Sequence, residues 1–165
     1  MWLQAYRSGF LDALATLLHF LGLNLVIAGI IVLIYWRVDK RLGIRLLIAL
    51  VLAIVLTDLL KNVFHTPRPF QAHPDLVTPL IPQLNYGIPS GHVLTAVWIW
   101  GYTALRLNQI KRRRWLYGLA SVYVLLMAWS RMYTGVHYPQ DVIAGLVFGL
   151  LAVWLYWRVT KSYEG

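Results

Sequence analysis

What most restricts the fold of this chain is the way its apolar residues are grouped. They run in long, almost uncharged stretches at 10–36, 44–60, 93–107, 115–129 and 142–157, broken by short charged or proline-rich segments. Stretches of this length approach the roughly 20 residues that a helix needs to cross the hydrocarbon of a bilayer, and a soluble core does not read this way. The expected fold is all-α, a polytopic transmembrane helical bundle of about five spans forming one domain over residues 1–165. Composition agrees, since 59% apolar and 13% charged residues lie outside the usual globular range.

The ends and connections refine this expectation. Residues 10–36 read either as one long tilted helix or as a short interfacial helix, within 1–21, followed by a span. The run continues too far for a removable signal peptide, so the N-terminus is expected to be retained. Six of the seven prolines fall between Lys61 and Pro89, which rules out a continuous helix there and marks 62–88 as an extramembrane loop. Of fifteen Lys and Arg, eleven lie at 37–45, at 106–114 and in a tail at 158–165. A five-span bundle places all three on one side, and the positive-inside bias makes that side cytoplasmic and the 62–88 loop extracytoplasmic. The net charge of +9 therefore reads as topology and not as a nucleic-acid face, which would need a solvated basic surface. With no Cys, thiolate nucleophiles, disulfides and Cys-based zinc sites are excluded. Gly145 and Gly149 carry a spacing that lets helices approach closely, read as packing within the monomer; a homodimer is not indicated.

Three segments place polar residues at the ends of apolar helices on the same expected side: Lys61 to Pro69, Pro89 to His92, and Ser130 to Asp141. Ionisable groups so close to lipid are costly unless they pair or act, which makes their convergence a site hypothesis. Lys61, Arg68 and Arg131 supply enough positive charge for a phosphate dianion and for the charge that builds on its oxygens during transfer. Ser90 and Gly91, after a proline at an apparent helix start, offer free backbone N–H groups as an anion seat. If the last helix begins near Pro139, Asp141 lies in its first turn and can fix the tautomer of His137, the nucleophile. His92 is then the general acid, and later the base that activates water. A metal held by His92, His137 and Asp141 is disfavoured by the three cations, so neither metal nor cofactor is expected. His19, His65 and His73 read as polar interfacial anchors, and Asp58 as a partner of Lys61 or a group facing a neighbouring helix.

At these residues the chain resembles the type 2 phosphatidic acid phosphatase superfamily, whose signature is Lys-x6-Arg-Pro, then Pro-Ser-Gly-His, then Ser-Arg-x5-His-x3-Asp. Every defining position is filled, over some eighty residues. The resemblance implies metal-independent hydrolysis on an all-helical core, with phosphate held by Lys61, Arg68, Ser90, Gly91, His92, Ser130 and Arg131. It also implies His137 as nucleophile, Asp141 as its partner, His92 as acid, and a site facing away from the cytoplasm. Membrane members commonly place three spans before the first motif; here two precede Lys61, so the further N-terminal helix is either missing or replaced by residues 1–21. The expected substrate is a membrane lipid phosphate or pyrophosphate at the outer face of the plasma membrane. Undecaprenyl pyrophosphate is favoured, because the compact chain and the spacing of its loop are similar to small undecaprenyl pyrophosphate phosphatases. Phosphatidylglycerol phosphate, phosphatidic acid and lipid A phosphates are the alternatives, with phosphotransfer to another lipid as a rival reaction and non-catalytic lipid binding as a rival function.

Overall fold

The computed structural model describes residues 6–162, with backbone alone for Ile110 and Lys111, so expectations for 1–5 and 163–165 lie outside it. The helices are α1 Gly9–Leu21, α2 Asn24–Arg37, α3 Lys40–Phe64, α4 Pro69–Ala72, α5 Gly91–Lys111, α6 Trp115–Tyr133 and α7 Pro139–Ser162. Local chemistry sets several of these bounds. The Ser8 hydroxyl caps α1 by accepting from Leu11 N, and the Asp39 carboxylate caps α3 by accepting from Leu42 N, each satisfying a donor that the helix leaves free. Prolines at the first positions of α4 and α7 start those helices without losing a hydrogen bond.

α5 is the hub, packed against α7, α6 and α3 in turn, while α2 leans on α3 and α1 on α6. One core joins Ile27 and Ile31 of α2, Leu46, Leu50 and Ala53 of α3, and Leu94, Ile99 and Tyr102 of α5; a second joins Val93 and Val97 of α5 to Met127 of α6 and Val142 of α7. Gly145 and Gly149 make the α5–α7 crossing possible. A Cβ on the first would stand 2.8 Å from Ser90 O, and on the second 2.7 Å from Val97 Cβ. That places the small-residue spacing inside the monomer. The buried positions of α3 recur every three or four residues, from Leu42 through Leu46, Leu50 and Ala53 to Thr57 and Lys61. Its other faces present Ile44, Leu47, Ile48, Val51 and Val55 outward, as a helix does when lipid and not water is its outer solvent.

The structure bears on the sequence expectations in four places, and in the first it chooses between two readings. Residues 10–36 are two helices that bend by 60° at Gly22 and Leu23, so the reading with a short first helix ending near Leu21 holds and the single tilted helix is not formed. α3 extends to Phe64, which puts Lys61 inside a helix and shortens the loop, and the loop itself contains α4. The segment expected as a tail from 158 is helical to Ser162. Among the described residues, two helices are long and apolar enough to cross a membrane, or three if α1 and α2 count as one broken span. That count is of length and hydropathy alone, and α5 falls below it for a physical reason. α5 is surrounded by protein on three sides, and buried Thr95, Thr103 and Tyr102 face other helices instead of lipid.

The same antiparallel order brings the C-terminal end of α3, the N-terminal end of α5, the C-terminal end of α6 and the N-terminal end of α7 together. The basic segments at 37–45, 106–114 and 158–161 collect at the opposite end, where Tyr156 Oη donates to Arg45 O.

Candidate active site

All three polar segments meet at that first end. Ser90 N donates to the Asp141 carbonyl at 2.9 Å, tying the start of α5 to the start of α7. Arg68, fully buried in the loop, donates from Nε to Asn85 O and from one terminal nitrogen to Val136 O, at 2.6 and 2.9 Å; its other terminal nitrogen donates to the Asn85 side chain. Gln71 Oε1 accepts from Arg68 N at 2.9 Å and anchors the backbone below the guanidinium. Burial draws the Arg68 pKa down to about 10, with Asp141 opposing, which leaves it a cation at neutral pH.

His137 is buried between charges of both signs. Its Nδ1 lies 3.1 Å from Asp141 Oδ2, and its Nε2 lies 3.2 Å from the same Arg68 nitrogen that meets Val136 O. Burial first, and then Arg68, Lys61 and Arg131, hold its pKa well below the ordinary imidazole value, so the ring is neutral. A guanidinium only donates and an ionised carboxylate only accepts. The ring proton is therefore on Nδ1, and the Nε2 lone pair faces Arg68. Asp141 Oδ2 also accepts from Tyr138 N at 2.9 Å, so one carboxylate oxygen carries both bonds.

Beside this pair is a cavity of about 180 Å³ lined by Lys61, Arg68, Gly91, His92 and His137, with Thr57, Asp58 and Asn85 among the other walls. The side-chain atoms buried here without a protein partner include Thr57 Oγ1, Ser90 Oγ, His92 Nε2 and Arg131 Nε. Unsatisfied buried polar atoms are costly singly; Thr57 and His92 line the cavity and Ser90 and Arg131 lie behind it, so the polar groups of this end can serve an oxygen-rich ligand. Among the described residues, no three of His, Cys, Asp and Glu are grouped so as to hold a metal ion.

Other expected residues are placed differently. Gly91 approaches protein closely, since a Cβ there would lie 2.9 Å from Thr57 Cγ2. Ser130 and Arg131 are buried behind the cavity wall: Ser130 Oγ donates to Ala15 O at 3.1 Å and accepts from Arg131 at 2.9 Å. Asp58 is exposed at the cavity rim. His65 and His73 are exposed. His19 is not. It is buried, accepts at Nδ1 from Arg131 at 2.9 Å and stacks on His92 with ring centroids 5.0 Å apart. Thr57, Asn85 and His19 are the participants that sequence reasoning missed. The first carried a signal, being the one hydroxyl in an apolar run and a single turn before Lys61.

Residues 42–163 match the family model described as the PAP2 superfamily. The chain belongs to the PAP2 superfamily. The PAP2 fold is matched over nearly all of its length by two solved structures. The first is the transmembrane PAP2 type phosphatidylglycerolphosphate phosphatase from Bacillus subtilis, 25% identical with a TM-score of 0.84, covering 97% of this chain and 81% of that one. The second is LpxE of Aquifex aeolicus, 27% identical with a TM-score of 0.81, covering 95% of this chain and 91% of that one. No curated protein sequence matches. As a PAP2 protein with transmembrane neighbours and helices able to cross a bilayer, the chain is an integral membrane protein. The family match begins at Leu42, so α1 and α2 lie before it.

Proposed function

We propose that this PAP2 enzyme removes a phosphate from a membrane lipid, without a metal, through a phosphohistidine on His137. The observation that carries the reading is the state of His137: its Nδ1–H donates to Asp141, and Nε2 turns its lone pair toward the Arg68 guanidinium at the cavity wall. Phosphoryl oxygens drawn to Arg68 and Lys61 bring phosphorus to that lone pair. As the guanidinium turns from the ring to the phosphate, Nε2 bonds to phosphorus and the bond to the lipid oxygen breaks. His92, whose Nε2 lacks a protein partner at the cavity, supplies the proton that the leaving oxygen needs. In the second step His92 takes a proton from water, the hydroxide attacks phosphorus, and the N–P bond breaks to return the lone pair to His137. Gly91 forms the α5 end of the cradle with the Ser90 hydroxyl behind it; the Ser90 N–H, expected as a free anion donor, instead donates to Asp141 O. Ser130 supports the phosphate through Arg131.

Basic segments at the far end of the bundle support a cytoplasmic location for that end, and so a site facing the periplasm or the extracellular side of the plasma membrane. For the substrate, the compact chain and its loop spacing favour undecaprenyl pyrophosphate. The likeness to a phosphatidylglycerolphosphate phosphatase over 97% of this chain favours a second reading, phosphatidylglycerol phosphate. Phosphate release by the purified protein from undecaprenyl pyrophosphate, phosphatidylglycerol phosphate, phosphatidic acid and lipid A phosphates tests both. Turnover is expected on at least one lipid, abolished in His137→Ala and indifferent to chelators. Turnover that survives in His137→Ala refutes the nucleophile, and inhibition by chelator with rescue by a divalent metal refutes metal independence.

A further inference from the structure

The α1 helix precedes the region that defines the family, yet it touches the site at two of its polar groups. His19 Nδ1 accepts from an Arg131 terminal nitrogen at 2.9 Å, and the His19 ring stacks on His92, centroids 5.0 Å apart and planes 20° apart. One turn earlier on the same face, Ala15 O accepts from Ser130 Oγ, which in turn accepts from the other terminal nitrogen of Arg131. α1 therefore holds the guanidinium fork at both tips, directly and through Ser130. Arg131 is 1% exposed and its Nε has no protein partner, so the fork cannot be oriented by solvent. Because arginine only donates, His19 Nδ1 must present its lone pair and the His19 proton is on Nε2. The next turn closes the contact. At Gly22 a Cβ would stand 2.5 Å from His92 Cδ2, so the α1–α2 break lies against the same imidazole.

We propose that His19 is a positioning residue of the phosphatase site, orienting the Arg131 guanidinium by an accepted hydrogen bond and the His92 imidazole by ring stacking. This rests on the reading of the site given above. It assigns α1, outside the family-matched region, a part in catalysis beyond packing against α6. His19 itself does not line the cavity and so acts through its two neighbours.

Two substitutions separate the roles. His19→Asn keeps an acceptor near the place of Nδ1 and loses the ring; His19→Phe keeps a ring over His92 and leaves an Arg131 N–H buried without a partner. The substrate is the best lipid of the panel, and orthophosphate serves as inhibitor and as probe of the cation cradle. His19→Phe is expected to lose about ten- to a hundredfold in kcat, the range for a hydrogen bond to a charged group, and to weaken orthophosphate inhibition by a similar factor. His19→Asn is expected to restore orthophosphate inhibition to near the wild-type value while keeping part of the kcat loss. Where the Phe variant does not fold, His19→Met takes its place as an apolar side chain without the acceptor. Variants that match wild type in kcat and in orthophosphate inhibition overturn the proposal. So do variants that all lose activity together in proportion to a falling thermal midpoint, because that is a structural role. His137→Ala sets the baseline: wild-type turnover no greater than this baseline overturns the phosphatase reading and this proposal with it, whereas active wild type with unaffected His19 variants overturns this proposal alone.

Discussion

Replacing Asp141 by Asn tests how much of the His137 chemistry depends on charge. Both protein bonds to this side chain, from His137 Nδ1 at 3.1 Å and from Tyr138 N at 2.9 Å, fall on the one oxygen Oδ2. An asparagine can place its carbonyl oxygen there, keep both bonds and keep the Nδ1–H tautomer. What it loses is the negative charge opposite a ring that becomes positive as Nε2 attacks phosphorus. For roughly half a unit of charge on the ring in the transition state, at 3.1 Å and an effective dielectric of about 20, Coulomb's law gives about 2.7 kcal/mol. That is about a hundredfold in rate. Because Asp141 does not line the cavity, the loss belongs in kcat, with KM little changed. Initial rates of phosphate release across lipid concentration, on protein shown by its thermal midpoint to be folded, measure this split. A kcat within about threefold of wild type would remove the carboxylate from the mechanism. A loss as complete as that of His137→Ala would refute the single-oxygen argument, since it would mean that the tautomer had been lost as well.

The same geometry makes three further predictions. Arg68→Lys keeps a charge but cannot hold Asn85, Val136 and a phosphate oxygen with one fork; kcat should fall by about a hundredfold, the typical effect of losing one oxyanion donor, and a kcat unchanged within error contradicts the role. His137 acts as free base and its pKa is held below 6.5 by burial and then by Arg68, Lys61 and Arg131. The acid limb of kcat/KM, corrected for ionisation of the lipid phosphate, should therefore lie below 6.5 and move upward in Lys61→Gln, where one depressing cation is gone; a downward shift contradicts the assignment. Gly22 has ordinary backbone angles, and space alone forbids a side chain there, since a Cβ would meet His92 at 2.5 Å and Met127 Cε at 2.8 Å. Gly22→Ala should cost about 1–3 kcal/mol of stability and at least about tenfold in kcat, read by thermal unfolding and turnover; an unperturbed variant means the α1–α2 break does not lie against His92.

Much of the site was legible because it is written in residues that lipid-facing helices do not otherwise keep. Lys61, Arg68, His92, His137 and Asp141 stand out against apolar runs, and Pro139 marks the helix start that sets Asp141 one turn from His137. The Gly145 and Gly149 spacing carried its packing role openly. The contribution of α1 was not legible, because it depends on a tertiary contact: Tyr133 Oη donates to Asp12 at 2.7 Å and its oxygen accepts from Ser8 N, docking α1 on α6 so that His19 meets Arg131 from 112 positions away in sequence. No periodicity in 10–36 announces that encounter. Asn85 was equally silent, as a loop residue whose value lies in meeting Arg68. α5 reads as less apolar than a lipid-facing span because it is packed against α3, α6 and α7, and a helix covered by its neighbours need not be apolar on every face.

Direct capture of the covalent intermediate bears most closely on the central claim. Protein mixed with lipid substrate labelled in the scissile phosphate and quenched within a turnover should carry label that survives alkali and is released by acid, as a phosphoramidate does, located on His137 and absent from His137→Ala. Turnover with no labelled protein at any quench time, or label that persists in His137→Ala, would contradict it.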